Sequence, residues 1–172
     1  RIVARHGVFI NDYRKESTPR MLLSLIEHSG ETIDYGLFVD LLDTRRLLER
    51  ECTRLAVSRI NAESLGILRV CLDMMEGSQN PETCADANFR FHHALTESSG
   101  NRVYAMILRS FEHAIRWYLT QYFTSADNRR ISAEQHERLL RALADERGEE
   151  ADAEILAIFS SGIEALRQKY KP

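Results

Sequence analysis

Apolar residues recur along most of this chain at three- and four-residue steps, the period of an α-helix with one buried face. Phe38, Leu41, Leu48, Cys52 and Leu55 predict a long helix over about 35–60, and Leu65, Leu68, Leu72 and Met75 predict a second, capped by Asn61 and broken over 77–81. After Asn101 the pattern is the most apolar of all. Tyr104, Ile107, Leu108, Phe111, Ile115, Tyr118 and Tyr122 stay in register as one continuous stripe, the expected central core helix. A polar loop over 125–130, a helix capped by Ser132 with Leu139, Leu140 and Leu143 inward, and a charged turn over 145–150 follow. A last helix to about Tyr170 buries Ile155, Ile158, Phe159, Ile163 and Leu166. Thr18 before Pro19 reads as the cap and first turn of a short helix to about His28. Only residues 1–10 break the period. Ile2, Val3, Val8, Phe9 and Ile10 alternate with basic residues around Gly7, which predicts strand material with a turn, too short to be stable alone.

One predicted stripe turns polar in its middle. Between Asp86 and Asn101, the residues Ala85, Asn88, His92, Leu95 and Ser99 share a face, with Phe91 beside them. Asn88 and His92 are one turn apart and can share a metal ion or a polar ligand. Gly100 suits the left-handed C-terminal position and Asn101 the next cap, so the pair is held near a rigid corner. Arg45 sits inside the seam of the first long helix, where an unpaired guanidinium is costly; its partner is Glu49, one turn on, or a bound acid. His136 shares the inward face of the penultimate helix, and Ser160 lies at the edge of the last stripe. Several such side chains converging in a helical bundle make a candidate pocket for a small molecule or metal, against the plainer reading of hydrogen-bonded core histidines. His6, His28, His93 and His113 fall on other faces or at ends and read as surface or structural.

Composition sharpens this picture. The 172 residues are 44% hydrophobic and 28% charged with 8 Gly and 3 Pro, which favours an all-α soluble domain with a sizeable core. No apolar run approaches the roughly 20 residues of a membrane span, so the cytoplasm is the expected compartment and no membrane partner is expected. Cys52, Cys71 and Cys84 lie in helical segments without metal-type pairing, and read as reduced core thiols. A net charge of -3 gives no footprint for nucleic acid in this chain itself. Hydrolase, zincin, phosphate-loop and C-x-x-C motifs are absent, and no nucleophile and base pair stands out.

The segments L-L-D-T-R-R-L-L-E-R-E-C-T-R-L-A-V-S-R (41–59), N-F-R-F-H-H-A-L-T-E-S-S-G-N (88–101) and Q-H-E-R-L-L-R-A-L (135–143) resemble, in that order, the effector-binding (FCD) domain of FadR-type regulators in the GntR family. The match covers about residues 18–170, and R-H-G-V-F-I resembles the wing and exit strand of the family's winged helix-turn-helix. The resemblance implies an antiparallel bundle of six to seven helices over 17–172, with 1–16 the end of a winged-helix domain and linker whose remainder lies upstream. It implies a non-enzymatic, dimerising sensor of a carboxylic acid metabolite or an acyl-CoA, controlling operator DNA through that upstream domain. A divalent metal (Zn, Ni or Mn) in such domains is held by Asp or Asn, a His four residues later, a His on the penultimate helix and a His on the last. Asn88, His92 and His136 match the first three, and Ser160, or Ser161 under a shifted alignment, stands where the fourth is expected. The resemblance thus implies a weak metal site, with Arg45, Asn88, His92, His136 and Ser160 contacting the effector, or a metal-free pocket like the acyl-CoA branch. A helical metalloenzyme acting on a small organic acid with the same histidines is the alternative function.

Overall fold

The computed structural model describes residues 2–3, 7–8 and 35–170. The chain divides into two units, Arg1–Ile33 and Asp34–Pro172. In the first, strands β1 (Ile2–Val3) and β2 (Gly7–Val8) pair antiparallel, with Ile2 opposite Val8 and Val3 opposite Gly7. The expected strand pairing is present, and Gly7 opens the second strand. The helix predicted over 18–28 falls outside the described residues.

The second unit is helical throughout its described elements: α1 (Tyr35–Ala56), α2 (Ala62–Glu76), α3 (Pro81–Ser98), α4 (Arg102–Ser110), α5 (Glu112–Tyr122), α6 (Ala126–Ala144) and α7 (Gly148–Tyr170). Among the described residues none of these helices is long and apolar enough to cross a membrane. Side-chain caps mark four starts. Asn61 accepts from the Ser64 amide, Asn80 from Thr83, Asn101 from Val103 and Ser125 from Asn128, each satisfying a donor that the helix itself leaves open. Pro81 follows its cap at the first helical position, where its missing N–H costs nothing. Gly100 adopts φ +77 between α3 and α4, the left-handed conformation expected from S-S-G-N.

Two expectations are corrected here. The apolar stripe after Asn101 is not one helix, because the chain breaks at Phe111 (φ -102, ψ 3) into α4 and α5. Nor is it the centre of the bundle. That place belongs to α3, which buries Cys84, Ala85, Ala87, Phe89, Phe91, Ala94 and Leu95 together with Asn88, His92 and Thr96, and packs against α1, α2, α4 and α5. Its burial nearly all round hides it from a test for one-sided periodicity. Fully buried Phe89 and Phe91 contribute about 2–3 kcal/mol each to holding it there. Likewise Ser132 does not cap α6, which starts two turns earlier behind Ser125, so the segment expected as a polar loop is helix. Ion pairs tie the outer helices: Arg50 is bidentate to Asp152 across α1 and α7 at 2.6 and 2.8 Å, and Arg69 meets Glu137 across α2 and α6 at 2.6 Å. Both pairs are partly exposed and add little stability, but they fix orientation.

Candidate functional site

Four helices send polar side chains to one buried point. α1 supplies Arg45 and Glu49 one turn apart, α3 supplies Asn88 and His92 at the same spacing, and α6 supplies Ser132, Gln135 and His136. Phe159 of α7 lies under the Arg45 guanidinium, whose carbon is 5.2 Å from the ring centre. Arg45, Glu49, Asn88, His92 and His136 are each 3% exposed or less.

Hydrogen bonds run through this cluster as a chain. Arg45 Nε donates to Glu49 Oε1 at 2.8 Å. Glu49 Oε2 then lies 2.5 Å from His92 Nδ1, an ion-pair distance that is out of line for a regular hydrogen bond, and neither atom has another partner. On the far side of that ring, His92 Nε2 is 3.0 Å from His136 Nε2, with the two imidazoles perpendicular. His136 Nδ1 is 2.7 Å from the Ser132 carbonyl, which only accepts, so the imidazole donates through Nδ1 and leaves Nε2 bare. Asn88 Nδ2 sits 3.1 Å from that same Nε2. Phe91 closes over His136 edge-on at 4.8 Å.

The electrostatics follow from burial. Taking the Glu49 carboxylate out of water would by itself push its pKa up, but the Arg45 charge and His92 outweigh this and hold it at about 2. His136 is pushed down to about 3 by burial and by neighbouring His92, against the opposing pull of the Ser132 carbonyl. The site therefore contains a fixed anion, a fixed cation and a neutral imidazole.

Next to these groups lies a cavity of about 30 Å³, room for a water or a few ligand atoms, bordered by Arg45, Asn88, His92, Tyr118, Gln135 and Phe159. Two buried atoms remain without partners: Arg45 NH2, a donor, and Asn88 Oδ1, an acceptor. An orphaned buried polar atom is costly, and two beside one cavity mark where a ligand completes the set.

The donors also fit a cation. Glu49 and the Ser132 carbonyl face the two Nδ1 atoms, the outer-sphere arrangement that aims both Nε2 lone pairs at one point. Two such lone pairs 3.0 Å apart need a shared proton or a cation between them, and two nitrogens bound to one ion at about 2.1 Å and a right angle lie about that far apart. A half-turn of the Asn88 amide exchanges its N and O and brings the orphaned Oδ1 to the same side. Among the described residues no three His, Cys, Asp or Glu side chains form a metal-binding group, so the set on offer is two imidazoles and one amide.

Arg45, Asn88, His92 and His136 thus meet as the pattern of the sequence predicted. Ser160 does not: it is exposed, and its hydroxyl donates to the Leu156 carbonyl on the outside of α7. The expectation that Ser160 stands in the fourth ligand place is corrected by this helical phase, since Phe159 and Gly162 border the cavity and Ser160 points away from both. Ser161 is turned to Gln135, whose Nε2 donates to its hydroxyl at 2.8 Å. Sequence reasoning missed Gln135, Tyr118 and Gly162. Gln135 had a signal, being adjacent to His136, whereas the Tyr118 hydroxyl, which donates to the Gly162 carbonyl at 2.9 Å, depends on how α5 meets α7.

The FCD domain family model matches residues 40–161, which contain every residue of this site. The chain is 30% identical over 132 residues to the Nta operon transcriptional regulator of Aminobacter aminovorans, covering 74% of this chain and 60% of that relative's length. Among solved structures, Streptococcus agalactiae GntR superposes with TM-score 0.69 at 21% identity over 96% of this chain and 74% of its own. E. coli McbR/YncC gives TM-score 0.69 at 18% identity over 89% and 80%, likenesses that speak to the fold. With the matched residues enclosing the four-helix polar cluster, the chain belongs to the FCD-domain family of GntR-type transcriptional regulators.

Proposed function

We propose that this domain senses a small carboxylate metabolite and that the rest of the regulator reads its occupancy as a change in operator binding. The observation that carries the reading is Arg45 NH2, a buried cationic donor with no protein partner at the cavity edge. A carboxylate oxygen satisfies it with a charge-assisted hydrogen bond, and Glu49 holds the guanidinium in place through Nε. Asn88, His92 and His136 would hold a divalent ion such as Zn, Ni or Mn. When bound, it would supply a positive centre for the ligand's other oxygen, and with only neutral protein ligands it is held weakly. Phe159 and Tyr118 exclude water from the pair, which strengthens the ionic contact.

The cavity volume favours a small acid over the acyl chain of an acyl-CoA, as in the FadR branch. No side chain is assigned a catalytic role, and the acid is released unchanged. Dimerisation and operator DNA, contacted through an upstream winged helix-turn-helix, complete the reading; binding is coupled to DNA affinity by about 1–3 kcal/mol. A thermal-shift screen of small organic acids and acyl-CoAs, with and without Mn, Ni or Zn, tests it. We expect stabilisation by a small acid, lost in Arg45→Ala. Chemical conversion of the bound acid would replace the sensor by the metalloenzyme, and a response to acyl-CoA alone would overturn the small-acid assignment.

A further inference from the structure

Beyond the polar cluster, α4 is the element whose surroundings do not account for its sequence. Of its nine residues only Leu108 is buried, while Val103, Met106 and Ile107 are 59%, 69% and 39% exposed. Steps of three and four place these three on one stripe. By comparison α2 exposes Ile67 and Val70 in fifteen residues and α1 exposes Leu47 in twenty-two, so the apolar surface is concentrated on α4. Beside it runs a groove of about 570 Å³ between α4 and the outer face of α3, bordered by His93, Glu97, Gly100, Arg102, Met106 and Arg109. Contiguous apolar surface of this kind marks an interaction site.

We propose that the α3–α4 groove is a self-association surface, occupied by α4 of a second copy about a twofold axis near Met106. A twofold interface must be complementary to itself, and this surface has the parts for that. It carries an apolar ridge next to a groove that receives one, and an acid next to bases. Glu97 stands on α3 with its side chain 61% exposed, its His93 contact being a 3.5 Å approach within the same helix. Arg102 and Arg109 stand on α4, and Arg109 is 60% exposed beside its 3.1 Å partner Glu112. Twofold pairing sets the arginines of one α4 against Glu97 of the other copy and covers both ridges. The chain's fixed corner helps: Gly100 holds φ +77 with the Arg59 side chain where a Cβ would stand, so the start of α4 is set firmly against α3. This surface deepens the dimer part of the function proposed above and does not depend on the effector.

The test is sedimentation equilibrium of the purified chain over a concentration series, comparing wild type with Met106→Glu and with Ile67→Glu on the other exposed apolar pair. We expect Met106→Glu to raise the dimer dissociation constant at least about tenfold with an unchanged helical circular dichroism spectrum, and Ile67→Glu to behave as wild type. In Met106→Cys the native Cys52, Cys71 and Cys84 are all buried, so mild oxidation gives a disulfide-linked dimer through the new thiol alone. A wild type that stays monomeric at about 100 µM, a Met106→Glu dimer as tight as wild type, or equal weakening by Ile67→Glu overturns the proposal. Acid-induced thermal stabilisation persists in Met106→Glu, so failure here and failure of the sensor reading are separate results.

Discussion

His92 and His136, 44 residues apart in the chain, bring their Nε2 atoms within 3.0 Å of each other at the buried junction of α3 and α6. Each ring presents its Nδ1 to a protein acceptor, Glu49 for one and the Ser132 carbonyl for the other, so the facing nitrogens are the ones left for a shared proton or a cation. If a divalent ion uses them, His92→Ala and His136→Ala each abolish it. Elemental analysis after mild dialysis, with metal supplied beforehand, measures this. Stoichiometric metal surviving in both variants would place the ligands elsewhere.

The Arg45–Glu49 pair is nearly inaccessible, at 3% and 1% side-chain exposure, so removing one charge strands the other. Glu49→Gln should cost about 3–5 kcal/mol of unfolding free energy in urea. The double variant Arg45→Met with Glu49→Gln should recover part of that loss, because it leaves no uncompensated charge. Loss of acid binding in a double variant that is folded and stable would then separate the guanidinium's ligand role from its structural one. A double variant no more stable than Glu49→Gln would show that the charge pair is not what stabilises this junction.

How much of this was legible in the chain depended on which forces set each feature. Caps and the 3.6 period are local, so Asn61, Asn101 and Gly100 were placed correctly, and the inward phase of Asn88, His92 and His136 followed from their spacing to Leu95 and Leu139. The break at Phe111 was not legible, since Leu108, Ile115 and Tyr118 keep a helical register across it while the backbone turns. The centrality of α3 was obscured by its polar residues, whose burial depends on partners from α1 and α6. The phase of α7 was misjudged by about one residue at Ser160: alignment to a four-ligand pattern put it inward, while Phe159 and Gly162 took the inward places.

Acid should weaken the fold in two stages. His136 has a native pKa of about 3 against 6.5 for a free imidazole, so as pH falls below 6.5 the unfolded chain takes a proton that the native site refuses. Stability is complete above that pH and falls by up to about 1.4 kcal/mol per pH unit from this group as pH drops from 6.5 toward 3. Glu49 adds a second loss below 4.5, where its unfolded carboxylate protonates while the native one resists down to about 2. Urea denaturation in chelator at pH 7.5, 5.5 and 4.5 tracks both, and His136→Gln should flatten the upper stage. An unchanged slope in that variant would assign the acid sensitivity to other groups.

The last helix offers the sharpest contrast between neighbouring positions. Ser160 is exposed and bonded to the Leu156 carbonyl, so Ser160→His adds an imidazole to the outer surface and should leave metal content and acid affinity unchanged. Gly162 borders the cavity instead, and a Cβ there would come 3.3 Å from the Tyr118 hydroxyl, close enough that the tyrosine must yield by a few tenths of an ångström. Gly162→Ala should therefore narrow the cavity and loosen the 2.9 Å bond from Tyr118 to the Gly162 carbonyl, weakening the acid by about tenfold, or 1.4 kcal/mol. Asn88, His92 and His136 lie on other helices, so metal content should not change. Isothermal titration of the stabilising acid into both variants, beside elemental analysis, reads the two effects apart. Tighter metal in Ser160→His would mean that α7 is rotated in solution so that residue 160 faces the site, and an unaffected acid affinity in Gly162→Ala would place the ligand away from α7.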